Sequence, residues 1–277
     1  MEIAMIQDRI VPFAELDAAH LDRGTFFGDG VYEVMRSYDG RIFVLDEHMD
    51  RFSNSLSAIA ITAVDIKQVR DRVSKAFETA GIANAEIYFH VTRGSTPRSR
   101  RPAAGIEPNF FLTITELPDY SQQKQSGISV STFPDWRWKR CDIKSLNLLA
   151  NVLARQDAGR KGCDEAILVD QNGLITEGAG SAFFAVFQRS IQTAPLTANI
   201  LSSITRKYVI KSAQSIAMTV VEESMTPQQA LQADELFIAV TTRDIIPVVR
   251  FDDNVIGDGK PGKYTRQLIE QFAAFTK

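Results

Sequence analysis

The stretch "EIYFHVTRG" alternates Ile87, Phe89 and Val91 with Tyr88, His90 and Thr92. A two-residue period turns one set toward a core and leaves the other face free for chemistry, as in a half-buried strand. "SYDGRIFVL" holds Asp39-Gly40 between two strand-like runs, and "EAILVDQNGLITEG" holds Asn172-Gly173 between two more. Asn, Asp and Gly tolerate positive φ, so both dipeptides predict the two-residue turn of a β-hairpin. "NFFLTITEL" and "DELFIAVTT" predict further, more buried strands.

Other segments carry the helical period. Met49, Phe52, Leu56 and Ile59 fall on one stripe. "DIKQVRDRVSKAFETAG" predicts a helix capped by Asp65, with Ile66, Val69, Val73 and Phe77 inside and Gly81 as its stop. "TRKYVIKSAQSIAM" and "YTRQLIEQFAAF" repeat the pattern. In "RWKRCDIKSLNLLANVLA", residues 137–154, the run Leu146, Leu148, Leu149, Val152, Leu153 predicts a buried helix. That stretch holds two lysines in unlike company: Lys139 within the cluster Arg137-Trp138-Lys139-Arg140, and Lys144 alone at the mouth of the apolar run.

Together these elements predict an α+β (mixed α/β) fold without the strict βαβ alternation of a doubly wound sheet. "LPDYSQQKQSG", residues 117–127, offers almost nothing to bury and predicts a linker. The expected division is a small N-terminal α/β domain (1–117), a linker (118–127) and a larger β-rich domain (128–277) that contains Lys144.

Composition narrows the function. A net charge of −3 and a pI near 5.7 leave no basic excess for nucleic acid. The two cysteines, Cys141 and Cys163, form no CxxC pair, and the three histidines make no zinc cluster. The first residues lack a signal-peptide pattern and no apolar run reaches membrane-spanning length, so the expectation is cytoplasmic, with no membrane partner.

Four features carry candidate chemistry. "GDGKPGKY" spaces Gly257, Gly262 and Lys263 as a phosphate loop does, but Tyr264 stands where Ser or Thr must hold magnesium, so a plain turn is expected. Glu177 closes an otherwise apolar strand in "LITEG". "ANILSSITRKYV" opens a helix with Ser202, Ser203, Ile204 and Thr205, where free N–H groups and the helix dipole favour an anion. Arg51 on the first long helix suits a phosphate, and Arg98, Arg100 and Arg101 in "STPRSRRP" offer planar forks for a carboxylate. Each alone reads equally well as a cap, a strand end or a solvated cation. Jointly, an isolated lysine, a strand-end carboxylate, a phosphate-friendly helix start and a spare arginine are what pyridoxal 5′-phosphate needs. A partly buried lysine amine is nucleophilic, and a carboxylate that keeps the pyridine nitrogen protonated makes the ring an electron sink.

"DRGTFFGDGVYEVMRSYDGRIFVLDEHMDRF", "YFHVTRGSTPR", "RCDIKSLNLLANVLARQ", "GCDEAILVDQNGLITEG" and "ITRKYVI" occur in the order seen in fold-type IV pyridoxal-phosphate enzymes, which the chain resembles from about residue 22 to its closing "KYTRQLIEQF". That group includes D-amino-acid, branched-chain and (R)-amine transaminases and aminodeoxychorismate lyases. The resemblance implies that Lys144 is the Schiff-base lysine and proton shuttle, that Lys139 is an ordinary exposed lysine, and that Glu177 pairs with the pyridine nitrogen. It places Arg51, Ser203, Ile204, Thr205 and Thr241 or Thr242 at the phosphate, and Leu201 against the ring. It sets Tyr32, with Tyr88, Arg98 and Arg100, at the substrate. A ping-pong transamination between an amino acid and a 2-oxo acid follows, in a homodimer whose subunits complete each other's pockets.

The "VTRGSTPR" loop is most similar to the D-amino-acid aminotransferases. Arg98 matches their arginine, and Arg100 stands where they carry histidine, which keeps a donor, makes its charge permanent and favours a diacid such as D-glutamate; the resemblance as a whole implies a D-alanine or D-glutamate type. Two further departures are Ala182, where the family has Asn, and Ser203, where it has Gly; both bear on cofactor retention. Branched-chain L-amino-acid or (R)-amine transamination is the alternative, followed by the lyase and a non-catalytic cofactor-binding protein.

Overall fold

A computed structural model describes residues 1–277. The chain starts with an isolated hairpin, β1 (Ile3–Ile6) and β2 (Arg9–Pro12), and a short helix, α1 (Arg23–Phe27). Four antiparallel strands follow: β3 (Gly30–Tyr38), β4 (Arg41–Ile42), β5 (Ala85–Thr92) and β6 (Asn109–Glu116), in the spatial order β4-β3-β5-β6. Helices α2 (Leu45–Ala58) and α3 (Ile66–Ala80) cover one face of this sheet. Val31, Met35, Ile87 and Phe89 meet Met49, Phe52, Leu56, Val69 and Val73 there, so the predicted strand and helix stripes face each other. Asp39 and Gly40 both take positive φ, 47° and 80°, and close the predicted two-residue turn. Asp65 caps α3 through the N–H groups of Lys67 and Gln68, and Gly81 ends it in the left-handed region.

The helix α4 (Ser121–Ser126) leads into a nine-stranded mixed sheet. Its strands are β7 (Ile128–Pro134), β8 (Glu165–Val169), β9 (Ile175–Gly178), β10 (Ala182–Phe187), β11 (Ser190–Thr193), β12 (Thr219–Glu222), β13 (Glu235–Val240), β14 (Asp244–Phe251) and β15 (Asn254–Val255). The order is β12-β11-β10-β13-β14-β7-β8-β9, with β15 added to β14. β9 ends the path, yet only residues 179–181 separate it from β10, so the sheet must curl to bring the two together. Inside the curl lie Ile128, Ile167, Phe183, Leu236 and Ile246. The alternate residues Phe184, Val186, Phe237 and Ile245 face α6 (Ile204–Ser215) and α8 (Lys263–Ala274), which is why β10 and β13 read as continuously apolar. The remaining helices are α5 (Leu149–Arg160) and the four-residue α7 (Pro227–Ala230).

Several expectations change. Asn172-Gly173 is not a two-residue turn: only Gly173 has positive φ, and Asp170 closes a longer loop by accepting from Asn172 and Leu174 N–H while its own N–H bonds the Leu174 carbonyl. β6 is an edge strand with Phe111 half exposed, because nothing pairs with its outer side. α5 is not the buried helix expected; Leu149, Val152 and Leu153 are 71%, 47% and 38% exposed, and its core face is Ala154 and Ala158. "GDGKPGKY" is the turn expected, and the start of α8 is already filled by the Glu235 carboxylate, which accepts from Tyr264 N–H, Thr265 N–H and Thr265 Oγ1 at 2.7–2.8 Å. A Cβ at Gly262 would lie 1.9 Å from Glu235 Cδ, so this close approach requires glycine.

Phe89 is fully buried, with its ring centroid 5.0 Å from that of Phe52. Phe89→Ala is expected to cost about 3–5 kcal/mol through the cavity it leaves. Urea denaturation reads this as a lowered midpoint, and an unchanged midpoint would show that the α2–β5 packing does not hold this sheet together.

Candidate active site

Parallel neighbours cannot be joined by a tight turn, so β7 and β8 are connected by a long crossover, residues 135–164. The first part of that crossover reaches the smaller sheet. Tyr32 N–H donates to the Lys144 carbonyl at 3.0 Å, Leu146 N–H donates to the Gly30 carbonyl at 3.0 Å, and Val31 bridges Ser145. Ser55 Oγ accepts from Lys144 N–H, and Ile143 plugs the core between sheet and helices. Lys144 is therefore carried on a short extended segment fastened to β3, beside Tyr32.

A cavity of about 310 Å³ opens between the two sheets at this point. Of the predicted residues, Tyr32, Arg51, Lys144, Glu177, Leu201, Ser203, Thr241 and Thr242 line it. Ile204 and Thr205 sit just behind, buried at the start of α6. Tyr88 lies against Tyr32, ring centroids 5.9 Å apart, and its hydroxyl is 3.0 Å from His90 Nδ1. Arg98 and Arg100 do not reach the cavity; Arg98 lies over the Phe27 ring at 5.4 Å. Lys139 is exposed and outside it, as expected.

The electrostatics separate two carboxylates. Glu33 occupies a core-facing position of β3, fully buried, and receives Arg51 Nε and NH2 at 2.7 Å and lies 2.8 Å from His48 Nδ1. Burial alone would raise its pKa; the charge and hydrogen bonds of Arg51, with His48, outweigh burial and hold it at about 2. Burial also keeps His48 below the usual imidazole range, against the pull of Glu33. Arg51 uses its remaining nitrogen on the Ser202 carbonyl at 3.2 Å, which ties α2 to the approach of α6.

Glu177 behaves oppositely. Its Oε1 accepts from Arg137 NH1 at 2.5 Å and from Leu201 N–H at 3.1 Å. Burial raises its pKa, and Arg137 and the Leu201 amide only partly offset that. Its second oxygen, Oε2, makes no hydrogen bond within the chain.

Sequence reasoning missed three residues. Arg137 reads locally as one of a solvated cationic cluster, yet it is nearly buried, forked onto Asp135 at 2.8–2.9 Å and joined to Glu177. Glu33 had a legible signal, a charge in the apolar phase of "VYEVM". Arg23 is 3% exposed and donates to the carbonyls of Ser99 and Arg100 at 2.5 and 3.1 Å, so it anchors the arginine loop. Nothing in its local sequence marked that contact.

The two sequence departures also gain a place. Ala182 is buried in the apolar cluster with Ile204 and Ala239, while Asn151 supports the adjacent loop by donating to the Ala179 carbonyl at 2.7 Å. Ser203 caps α6, its Oγ accepting from Arg206 N–H, and its own N–H turns to the Leu201 carbonyl. The N–H groups of Ile204 and Thr205 donate to nothing in the chain, and Thr205 Oγ1 lies 3.5 Å from Thr241 Oγ1.

The model of amino-transferase class IV matches residues 30–251. The D-alanine aminotransferase of Bacillus licheniformis is 38% identical over 248 residues, covering 89% of this chain and 87% of that protein. That of Staphylococcus haemolyticus is 36% identical over 274 residues, covering 98% and 97%. Among solved structures, the branched-chain amino acid aminotransferase of Escherichia coli superposes with a TM-score of 0.88 at 25% identity, covering 96% of this chain and 92% of its own. A branched-chain amino acid aminotransferase from T.th., solved with pyridoxamine 5′-phosphate, gives 0.85 at 25% identity over the same shares. The chain belongs to the class IV aminotransferases. It is an enzyme that works with pyridoxal 5′-phosphate.

The residues present fit that cofactor. Lys144 has no salt bridge; its ammonium lies 4.2 Å from the Tyr32 ring centroid, facing the cavity. Glu177 offers an unused oxygen with raised basicity, and two free helix N–H groups offer an anion site.

Glu33 gives a pH test. Its folded pKa lies below its ordinary 4.5, so its stabilisation is complete above about pH 4.5 and is lost as the pH falls toward 2. Glu33→Gln is expected to cost about 3–5 kcal/mol at neutral pH by leaving Arg51 unpaired. It should also flatten the acid limb of the denaturation midpoint. An unchanged acid limb would remove Glu33 as the group responsible.

Proposed function

We propose that the protein is a D-amino-acid transaminase of the D-alanine or D-glutamate type, passing the amino group to a 2-oxo acid in a ping-pong cycle. The reading is carried by the near-complete match to relatives named D-alanine aminotransferase, 36% identical over 98% of this chain in one case. Pyridoxal phosphate supplies an aldehyde for the amino group and an electron sink for the Cα–H bond electrons. Lys144 Nζ anchors it and moves the proton at the substrate Cα. Glu177 Oε2 would receive the ring nitrogen, while Arg137 and the Leu201 amide keep Oε1 occupied and the carboxylate aimed. The Ile204 and Thr205 N–H groups, the Thr205 and Thr241 hydroxyls, Ser203, Thr242 and Arg51 hold the phosphate. Leu201 would close one side of the ring, and Tyr32 and Tyr88 would flank the substrate.

Arg98 and Arg100 bind the α-carboxylate in the neighbouring subunit of a homodimer. Two observations support that arrangement: both arginines lie outside their own chain's cavity, and Leu149, Val152 and Leu153 form an exposed apolar face next to it, with Trp138 42% exposed. The two sheets are taken as two domains, 1–117 and 128–277, joined by 118–127, where Lys124 fastens α4 to Asp244 at 2.6 Å. No helix is long and apolar enough to cross a membrane; a cytoplasmic location is proposed.

Branched-chain L-amino-acid transamination is the second reading, favoured by the solved structures that superpose on this chain. Visible absorbance of the cofactor-loaded protein, mixed separately with D-alanine, D-glutamate, L-leucine and (R)-1-phenylethylamine, separates the two. Loss of the yellow absorbance with D-amino acids alone is expected; loss with L-leucine or the amine instead would overturn the D-amino-acid reading and the use of Arg98 and Arg100 to choose the substrate. Lys144→Ala should lower turnover by at least about 10²–10⁴-fold. In the wild type, borohydride reduction followed by peptide mass spectrometry should place the cofactor on Lys144; a label elsewhere would reassign the lysine.

A further inference from the structure

Five charged side chains line the cavity: Arg51, Glu86, Arg137, Lys144 and Glu177. Arg51 is bound to Glu33, and Arg137 holds both Asp135 and Glu177. Lys144 and Glu86 alone have no counter-ion. Lys144 has its use in the reaction, whereas no role described above employs Glu86.

The fold gives Glu86 a definite orientation. Ile87 and Phe89 point into the core, so the alternation of β5 turns Glu86, Tyr88 and His90 to the other face, the face that carries Tyr32 and Val34 on β3. Directly across the ladder stands Arg36, the natural partner for a carboxylate. Arg36 is turned elsewhere, donating through NH1 to Asp244 Oδ1 at 2.8 Å and the Thr242 carbonyl at 3.3 Å, with its guanidinium over the Tyr38 ring and its Nε buried without a partner. On the opposite flank, Glu86 faces Thr115 of β6 and makes no hydrogen bond to it. Glu86 is partly exposed, and its carboxylate, with neither ion pair nor hydrogen bond within the chain, is free to receive a cation from a ligand.

We propose that Glu86 is a specificity residue that faces the substrate side chain and selects D-amino acids bearing a cationic side chain, such as an ω-ammonium, over those bearing a second carboxylate. The proposal rests on the D-amino-acid reading and deepens it, deciding against its D-glutamate arm. With the amino group at Lys144 and the α-carboxylate at the arginines, the side chain is the end of the substrate left to meet the remaining wall. An ammonium there pairs with Glu86 in a partly desolvated site, whereas a carboxylate is repelled. Glu86 thus opposes the diacid preference that Arg100 by itself suggests. The acceptor meets the same wall, so pyruvate should be a better amino acceptor than 2-oxoglutarate.

The test is kcat/KM of the holoenzyme for D-ornithine and D-glutamate, wild type against Glu86→Gln, at low and at high salt. Wild type should prefer D-ornithine by about tenfold or more, a preference that shrinks with salt and that Glu86→Gln abolishes. A wild type that prefers D-glutamate, a preference insensitive to salt, or a ratio unchanged in Glu86→Gln would each overturn the proposal. The wild-type arms stand even if the variant loses its fold, which its thermal midpoint reports. If only L-isomers are turned over, the D-amino-acid reading fails by itself, and Glu86 is judged on L-ornithine against L-glutamate by the same criteria.

Discussion

The pairing of residues 144–146 with the first residues of β3 is the contact on which the site depends. Two backbone hydrogen bonds, Tyr32 N–H to the Lys144 carbonyl and Leu146 N–H to the Gly30 carbonyl, set Val31 opposite Ser145 and fasten a crossover of the larger sheet to a strand of the smaller one. Backbone pairing fixes direction as well as distance, because side chains leave an extended segment alternately to opposite faces. Ile143 enters the small-sheet core and Lys144 turns to the cavity. Without that seam the lysine would sit on a loop, its amine free to leave the cavity wall beside Tyr32.

Around the seam the protein sets two buried glutamates to opposite ends of the carboxylate range. Glu33 sees a whole guanidinium and an imidazole, so pairing overcomes burial. Glu177 shares its arginine with Asp135, so burial prevails and its proton affinity rises. The first is a structural anchor that fixes Arg51 between α2 and α6. The second keeps one oxygen available to a bound group. Arg137 mediates this difference, since its fork is mostly spent on Asp135.

Much of the frame was legible from local pattern. The β5 alternation, the Asp39-Gly40 turn, the Asp65 cap and the Gly81 stop are each decided within a few residues, and each is found as expected. The α5 segment misled because apolarity reports burial without saying where: its alanines meet this chain's core, and its leucines and valine face outward. β6 misled in the same way, since nothing in a strand's own sequence states whether both edges are paired.

The lining of the cavity is written in the chain: a lysine isolated from other cations, a glutamate closing an apolar strand and a capped helix start. These are local chemical facts, and their order along the chain suffices to place it in its family. Which charges remain unpaired is a different matter, fixed by folding alone. Whether Arg36 answers Glu86 or Asp244, whether Arg137 is solvated or locked to Glu177, and whether Arg23 holds the loop of Arg98 are settled by contacts between residues 40 to more than 200 positions apart. Such contacts arise from the curl of the large sheet and its seam with the small one, and no window of neighbouring residues encodes them.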